Sequence, residues 1–191
     1  MWLYEKRLMY PVRIHSADPA LARAILQRLG GADGELSAAI RYLSQRCAMP
    51  CDAAVATLTD IGTEELAHAE MLMAIVNQLT DGASEEQLKE HGFLCARGQT
   101  VAFAAGFCAG GDPMALLNED MAMEQRARAM YDDIIRMTDD PEVLAPIKFL
   151  RQREIVHSQR LGEVLAILYR RACQPDMNGE AGCDGLDAKP E

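Results

Sequence analysis

The sequence predicts an all-α fold in which four long helices pack side by side, and three observations support this prediction. Four stretches of the 191-residue chain repeat apolar residues every three or four positions, as an amphipathic helix does on its buried face. Clusters of β-branched residues with the two-residue period of a strand are sparse. Proline, glycine and acidic residues stand at the ends of the four stretches, where helices commonly start and stop.

The first two predicted helices occupy the N-terminal half of the chain. Helix one runs from about residue 19 to residue 47, and it starts at an Asp-Pro pair that suits a helix cap and first turn. Three glycines between residues 30 and 34 weaken its middle, and Pro50 follows its end. Helix two extends from about 52 to 79, after which "TDGAS" predicts a stop and "SEEQ" a short extra turn or helix.

The last two predicted helices follow a long connection. Residues 81–112 contain several glycines and no long apolar period, so they predict a crossover to the far side of the bundle. Helix three begins at a second Asp-Pro pair, 112–113, and ends near "MTDDP", and helix four runs from Pro141 to about residue 172. Four long helices with a long crossover between helices two and three are typical of the ferritin-like four-helix bundle.

Length and composition set the expected domain organisation. We expect one domain over residues 1–172, with an extended N-terminal arm at 1–18, because 191 residues suit a single core of ordinary size. Residues 173–191 are polar and rich in glycine, proline and acid, which predicts a disordered tail. The six cysteines form no Cys-x-x-Cys pair, so we expect free thiols, with a disulfide or incidental metal binding as the alternative.

The net charge of −10 narrows the classes of partner. Nucleic acid and anionic membranes both attract basic surfaces, so an acidic chain predicts neither as a partner. No apolar run approaches the roughly 20 residues of a membrane-spanning helix. The N-terminal segment lacks the apolar core of a secretory signal, so we expect a cytoplasmic protein.

Two of the apolar stripes contain a glutamate and a histidine where apolar residues are expected. In helix two the stripe reads Leu58, Ile61, Glu65, His68, Leu72, Ile75 and Leu79. In helix four it reads Ile147, Leu150, Glu154, His157, Leu161, Val164 and Leu168. A carboxylate buried without a partner costs several kcal/mol. We therefore expect a cation to meet these glutamates inside the bundle.

The same four polar residues recur at matching positions in both halves of the chain. The first set is Glu35, Tyr42, Glu65 and His68, and 89 residues later the second set is Glu124, Tyr131, Glu154 and His157. Each half thus supplies one lone glutamate, one tyrosine and one Glu-x-x-His pair, whose members lie on one helix face. A bundle can place the two sets around a pseudo-twofold axis, so that four carboxylates and two imidazoles converge.

Six such ligands suit a pair of metal ions. Four carboxylates neutralise two divalent cations, and oxygen and nitrogen donors without a thiolate favour manganese or iron over softer metals. Each imidazole can bind one ion through one ring nitrogen and be oriented through the other. We expect Tyr42 and Tyr131 to hydrogen-bond to the ligands from outside, since a buried phenol needs a partner. His15 and His91 have no matching partners and are expected at the surface.

Longer segments of the sequence resemble a known family. They read "MWLYEKRLMYPV" at the N-terminus, "GGADGELSAAIRYLSQR" in helix one, "LTDIGTEELAHAEM" in helix two, "EDMAMEQRARAMYDDI" in helix three and "KFLRQREIVHSQR" in helix four. The chain resembles the manganese catalases over residues 1 to about 165, and most closely the short spore-coat proteins of that family. The resemblance implies a ferritin-like fold and a dimanganese site that converts hydrogen peroxide to water and oxygen.

The resemblance also assigns roles to the polar residues. Each manganese takes one carboxylate and one imidazole, in the pairs Glu35 with His68 and Glu124 with His157. Glu65 bridges the two ions, and Glu154 lies beside them as the catalytic proton carrier, whereas the repeat alone makes Glu154 equivalent to Glu65. Larger members of the family often carry arginine where this chain has Met123. They also wrap neighbouring subunits with a long C-terminal extension that this sequence lacks; we expect a homo-oligomer, with the family's hexamer as one arrangement.

The residues leave two other functions open. The ligand types also suit a di-iron peroxidase or ferroxidase related to ferritin or rubrerythrin, although the four-cysteine module of rubrerythrin is missing. The third alternative is a structural spore-coat protein that retains the metal site for stability, because the aromatic N-terminal arm and the short chain suit packing into an assembly. The spore coat is accordingly the alternative location.

Overall fold

The computed structural model describes residues 7–93 and 111–173, and these residues fold into six α-helices. The helices are α1 (Pro19–Gly30), α2 (Glu35–Gln45), α3 (Asp52–Thr80), α4 (Glu85–Glu90), α5 (Pro113–Arg136) and α6 (Pro141–Cys173). A short 3-10 turn, Arg46–Ala48, follows α2. The prediction of an all-α fold is confirmed, and α4 is the short extra helix that "SEEQ" predicts.

Helix one is two helices, and the prediction of a single helix over 19–47 is wrong. The backbone leaves the helix at Gly31, and Gly34 then precedes the first residue of α2. A Cβ atom on Gly34 would lie 2.7 Å from the carbonyl oxygen of Arg28, so this tight connection requires glycine. The break places the end of α1 beside the first turn of α2, where Glu35 lies.

The helices form a bundle in two pairs. In the first half α2 packs along α3, and in the second half α5 packs along α6; the halves meet mainly where α3 contacts α6. The short connections between α2 and α3 and between α5 and α6 make each pair antiparallel, as the sequence predicts. α1 packs on α3 and also reaches α5.

The apolar core has two clusters along the bundle, and the buried polar residues separate them. Along α3, Leu58 and Ile61 belong to one cluster and Leu72 and Ile75 to the other. The residues between them are Glu65 and His68, both buried. The same order, reversed, occurs along α6 on either side of Glu154 and His157. The polar layer therefore lies in the middle of the bundle, away from solvent.

The described part of the N-terminal arm packs across the bundle. The backbone N–H of Ile14 donates to Gln78 Oε1 at 2.7 Å, and Tyr10 stacks on Phe149 with ring centroids 4.9 Å apart. His15 is exposed and contacts Glu142 at 2.8 Å. The arm thus joins the end of α3 to the start of α6.

Parts of three predictions lie outside the described residues. These are the first six residues of the arm, residues 94–110 of the crossover and the tail after residue 173. Cys47, Cys51 and Cys173 lie within the described ranges and are free thiols. Within those ranges, no helix combines the length and apolarity needed to cross a membrane.

Candidate metal centre

The structure brings the four glutamates and two histidines of the two repeated sets together in the middle of the bundle. α2 and α5 each contribute one glutamate, and α3 and α6 each contribute a Glu-x-x-His pair; the residues are Glu35, Glu65, His68, Glu124, Glu154 and His157. None of the six is more than 2 % exposed. Because its two members are three residues apart, each Glu-x-x-His pair lies on one face of its helix. The two pairs therefore meet where these faces of α3 and α6 pack together.

Glu65 occupies the centre of the group. Its Oε2 lies 3.0 Å from Nδ1 of His68, and its Oε1 lies 2.8 Å from Nδ1 of His157. The two imidazole rings are nearly parallel, at 19°, with centroids 5.4 Å apart. One carboxylate therefore spans two imidazoles, as a carboxylate does when it bridges two metal ions.

The lone glutamates lie at the two sides of this centre. Glu35 Oε2 is 3.7 Å from Nδ1 of His68, and Glu124 Oε2 is 3.8 Å from Nδ1 of His157. These distances give the same Glu–His pairs that the resemblance predicts for the two ions. Each half of the group thus has one carboxylate, one imidazole and one oxygen of Glu65.

The two tyrosines contact the lone glutamates across the bundle. Tyr42 of α2 donates a hydrogen bond to Glu124 of α5, and Tyr131 of α5 donates one to Glu35 of α2. Both phenols are fully buried. Each tyrosine therefore holds the carboxylate of the other half of the chain.

Glu154 lies farther from the imidazoles than its repeat partner Glu65. Its Oε1 is 4.0 Å from Nδ1 of His68, and its Oε2 is 3.5 Å from Nη2 of Arg28. The two glutamates that the repeat makes equivalent thus have different surroundings.

Several buried atoms of the group have no hydrogen-bond partner among the described residues. They are Glu35 Oε2, Glu65 Oε1, His68 Nε2, Glu154 Oε1, and both ring nitrogens of His157. Buried polar atoms are nearly always paired, and leaving one unpaired costs free energy. One ligand atom from each of Glu65, His68, Glu154 and His157 lies within 4.8 Å of the others. The set fits metal ions, whose bonds would satisfy these atoms.

The pKa shifts show how strongly the group needs positive charge. Burial alone would lower the pKa of His68 and of His157, but the facing carboxylates outweigh burial and raise both pKa values well above that of an ordinary histidine. Burial raises the pKa of Glu154, and the charges of Glu35 and Glu65 raise it further. The buried carboxylates therefore favour positive charge at this position, as bound cations would supply.

Sequence reasoning missed Glu64, which contacts both histidines from the other side. Its Oε1 lies 3.6 Å from Nε2 of His68, and its Oε2 lies 3.4 Å from Nε2 of His157. Arg153 Nη2 donates to Glu64 Oε2 at 3.2 Å. Such outer carboxylates orient metal-bound imidazoles. The signal was present, because residues 64 and 153 are themselves 89 apart and carry opposite charges.

Sequence reasoning also missed Arg28, which is 1 % exposed. Its Nη2 lies 3.0 Å from Glu35 Oε1, and its guanidinium carbon lies 4.9 Å from the ring centroid of Tyr131. Arg28 follows Leu21 and Ile25 on the buried stripe of α1, so the helical period could have identified it. Its partners could not be identified, because they depend on how α1 meets α2 and α6.

A third missed residue, Asp120, lies one turn before Glu124 on α5 and is fully buried. It accepts hydrogen bonds from Arg41 Nε at 2.7 Å and from Gln45 Nε2 at 3.1 Å. Burial raises the pKa of Asp120 to about 6, although Arg41 and Gln45 oppose this rise. The cluster joins α2 to α5 beside the candidate metal centre.

The family model described as "Manganese containing catalase" matches residues 1–96 and 90–177. The chain belongs to the manganese catalase family. Protein CotJC of Bacillus subtilis (strain 168) is 46 % identical to it over 180 residues, which are 88 % of this chain and 95 % of that protein. A probable manganese catalase of Clostridium acetobutylicum is 32 % identical over 179 residues, which are 86 % of this chain and 80 % of that protein.

A solved structure of the manganese catalase family has a similar fold. The crystal structure of KatB, a manganese catalase from Anabaena, superposes with a TM-score of 0.78 at 27 % identity and covers 100 % of this chain and 96 % of that chain. The predictions of the family and of the ferritin-like bundle are confirmed. Met123, at the position where the resemblance implies arginine in larger members, is buried in an apolar cluster.

Proposed function

We propose that the chain binds two manganese ions and disproportionates hydrogen peroxide to water and oxygen. The ligands are Glu35, Glu65, His68, Glu124 and His157. The observation that carries the proposal is the position of Glu65, whose two oxygens face one imidazole each at 3.0 and 2.8 Å. Membership of the manganese catalase family supports manganese as the metal.

A bound manganese pair supplies reversible two-electron redox chemistry. The oxidation of one peroxide to oxygen releases two electrons and two protons, and the reduction of a second peroxide to two waters consumes them. The protein must therefore hold protons between the two half-reactions. The protein must also keep bulk water out of the site, because water would screen the charges of the buried carboxylates and imidazoles.

We assign the proton-carrying role to Glu154. Its Oε1 has no hydrogen-bond partner and faces the imidazole of His68 at 4.0 Å, so a proton there is next to the reacting centre. Burial and the neighbouring carboxylates raise the pKa of Glu154 above that of an ordinary carboxyl group, which favours a proton on it. Glu154 takes up one of the two protons when one peroxide is oxidised and returns it when the next is reduced, and the other proton exchanges with solvent.

The other polar residues hold the ligands in place. Tyr42 and Tyr131 fix one oxygen of each lone glutamate, which leaves the other oxygen for a metal ion. Glu64 contacts the outer nitrogen of both imidazoles, which favours metal binding through Nδ1. The two apolar clusters enclose the site from either side along the bundle.

The deciding experiment is elemental analysis of protein purified without added metal, combined with an oxygen electrode. We expect about two manganese ions per chain and one oxygen released for about every two peroxides consumed. Iron with peroxide consumed and no oxygen released would instead support the di-iron peroxidase or ferroxidase. Bound metal without turnover would support the structural spore-coat protein.

Three further expectations remain predictions. They are the domain boundary at residue 172, assembly into a homo-oligomer such as a hexamer, and a cytoplasmic or spore-coat location. Size-exclusion chromatography with light scattering tests the assembly directly.

A further inference from the structure

We propose that Arg28 is a positioning residue that keeps Glu154 from bridging the metal ions and thereby makes the two halves of the centre unequal. This inference rests on the proposed function, because it concerns how the residues divide the roles at a metal pair.

The unequal geometry is visible in one pair of related distances. The repeat relates His157 and Glu65 to His68 and Glu154. Nδ1 of His157 lies 2.8 Å from Glu65, whereas Nδ1 of His68 lies 4.0 Å from Glu154. Glu65 lies between the two imidazoles, whereas Glu154 lies farther from them.

Arg28 accounts for this difference. Its Nη2 contacts Glu154 Oε2 at 3.5 Å and Glu35 Oε1 at 3.0 Å. A carboxylate that bridges two ions with one oxygen on each needs both oxygens, and Oε2 of Glu154 is already in an ion pair with Arg28. Glu154 therefore has one oxygen, Oε1, left for the centre.

The Arg28 side chain has little freedom to release Glu154. It is 1 % exposed, and its guanidinium carbon lies 4.9 Å from the ring centroid of Tyr131. Its Nε and Nη1 have no hydrogen-bond partner among the described residues, so its polar contacts are concentrated in Nη2. Moving it would leave a buried guanidinium without its carboxylates.

The second half of the chain contains the control for this arrangement. The position 89 residues after Arg28 is Leu117, which is fully buried and uncharged. Leu117 cannot hold Glu65 as Arg28 holds Glu154. The repeat thus pairs a charged residue with an apolar one. Arg28 lies on α1, before the break that precedes α2, whereas Leu117 lies in an apolar cluster on the continuous helix α5.

Arg28 also changes the charge that metal ions must balance. When all four are deprotonated, the carboxylates of Glu35, Glu65, Glu124 and Glu154 carry one negative charge each, and Arg28 cancels one of the four. Two divalent ions then give the centre one excess positive charge, whereas without Arg28 they would give neutrality. Removal of Arg28 should therefore strengthen metal binding while it weakens turnover.

The test compares Arg28→Met with Leu117→Met in the full-length protein. Manganese(II) affinity is measured at about pH 8 from the free-ion EPR signal, and the spectrum of the bound pair is recorded. Arg28→Met should bind manganese about tenfold more tightly or better, because a buried positive charge beside the ligands is lost. Its pair spectrum should change as Glu154 becomes a second bridge, and oxygen release should fall. Leu117→Met should leave all three measurements near those of the wild type.

Two further variants separate positioning from damage. Arg28→Lys keeps the charge and should restore wild-type affinity and spectrum in part. In the Glu154→Gln background, Arg28→Met should no longer change the pair spectrum, because an amide does not bridge as a carboxylate does. Unchanged or weaker manganese binding in a folded Arg28→Met variant overturns the inference, since structural damage predicts weaker binding.

A measurement without any substitution covers the case in which Arg28→Met does not fold. A crystal structure of the manganese-loaded wild type should show Glu154 Oε2 on Arg28, and a Glu154 that bridges both ions would overturn the inference. Two bound manganese ions without oxygen release would refute the proposed activity. The manganese affinity and the spectrum of the bound pair would still decide the inference about Arg28. A chain that binds no manganese would refute both.

Discussion

The two halves of the bundle carry the same buried Glu, Tyr and His residues but differ in how their helices pack. In the first half Leu43 of α2 lies over Gly62 of α3, where an added Cβ would come within 2.9 Å of Leu43 Cγ. In the second half the corresponding residues, 89 positions later, are Asp132 and Arg151, and Arg151 Nη2 donates to Asp132 Oδ2 at 3.3 Å. The repeat therefore preserves the ligands and not the packing that supports them.

The two halves differ again in the charges just outside the ligands. Arg28 corresponds to Leu117, and Glu64 corresponds to Arg153. Glu64 and Arg153 contact each other, while Arg28 contacts carboxylates from both halves. A symmetric set of ligands can therefore serve unequal roles when the surrounding charges are unequal.

The largest expected effect is the difference between variants of Glu65 and Glu154, which the repeat makes equivalent. Glu65→Gln removes the carboxylate between the imidazoles and should weaken manganese binding by more than about 100-fold, since even outer partners of ligands cost 10- to 100-fold. Glu154→Gln should keep both ions and lower the oxygen release rate by about 100- to 10 000-fold, as loss of a proton carrier does. Metal content by elemental analysis and oxygen release by electrode measure the two effects.

Equal metal loss in both variants would contradict the division of roles. Glu163→Gln, on the same helix as Glu154 and with an exposed side chain outside the six residues of the centre, serves as a matched control for the effect of a Glu-to-Gln change. Circular dichroism confirms that each variant retains its helices.

The second prediction asks whether the two histidines behave alike. Their pKa values in the metal-free protein lie above the ordinary value of 6.5, so their stabilising ion pairs are fully present below pH 6.5 and are lost as the pH rises through the raised values. Metal binding requires neutral imidazoles. Manganese affinity should therefore rise by about tenfold per pH unit for each displaced proton.

Calorimetry in buffers of different ionisation enthalpy measures this proton release. About two protons per chain are expected for the wild type and about one for His68→Gln or His157→Gln. The thermal stabilisation of the protein by manganese should also grow with pH from about pH 6 to about pH 8. Affinity independent of pH over this range would show that the imidazoles are not protonated in the metal-free centre.

The third prediction compares Tyr42→Phe with Tyr131→Phe. Each removes one hydrogen bond to a lone glutamate and should weaken manganese binding by about 10- to 100-fold. Tyr131→Phe should have the larger effect, because Arg28, 3.0 Å from Glu35, competes with the metal for that carboxylate once the phenol no longer holds it. Tyr169→Phe, on an exposed ring, is the control, and equal effects in the two buried variants would argue that Arg28 does not compete for Glu35.

The smallest expected effect tests the packing of the first half. Gly62→Ala should destabilise the metal-free protein by about 1–3 kcal/mol in urea unfolding, because the new methyl group forces α2 away from α3. Gly162→Ala, whose methyl group would lie 3.5 Å from Met121 Cε, should be neutral or stabilising by up to about 1 kcal/mol. A Gly62→Ala variant as stable as the wild type would show that α2 does not need this close approach.

Sequence periodicity could predict the residues that face the centre. A glutamate and a histidine in an apolar stripe are identifiable from spacing alone, and the repeat of 89 residues supplies their partners. The four helices of the bundle follow from the same stripes. The break between α1 and α2 was only partly foreseen, because three glycines indicate weakness but do not show that the chain leaves the helix at Gly31.

The contacts between helices could not be predicted in the same way. Arg28 reaches Glu154, 126 residues away, and Arg41 reaches Asp120, 79 residues away. Such contacts depend on the relative placement of helices, which no local pattern specifies. For the same reason the repeat alone could not distinguish Glu154 from Glu65.

Because each tyrosine contacts the lone glutamate of the other helix pair, the centre is an interface between two helix pairs of one chain. Tyr42 and Tyr131 each fasten one pair to a glutamate of the other, and Glu65 reaches an imidazole on either side. A chain severed between α4 and α5 would yield two fragments, neither of which holds a complete ligand set. The apolar clusters that both fragments share would bring them together, and manganese should stabilise the reassembled pair by completing its ligand set.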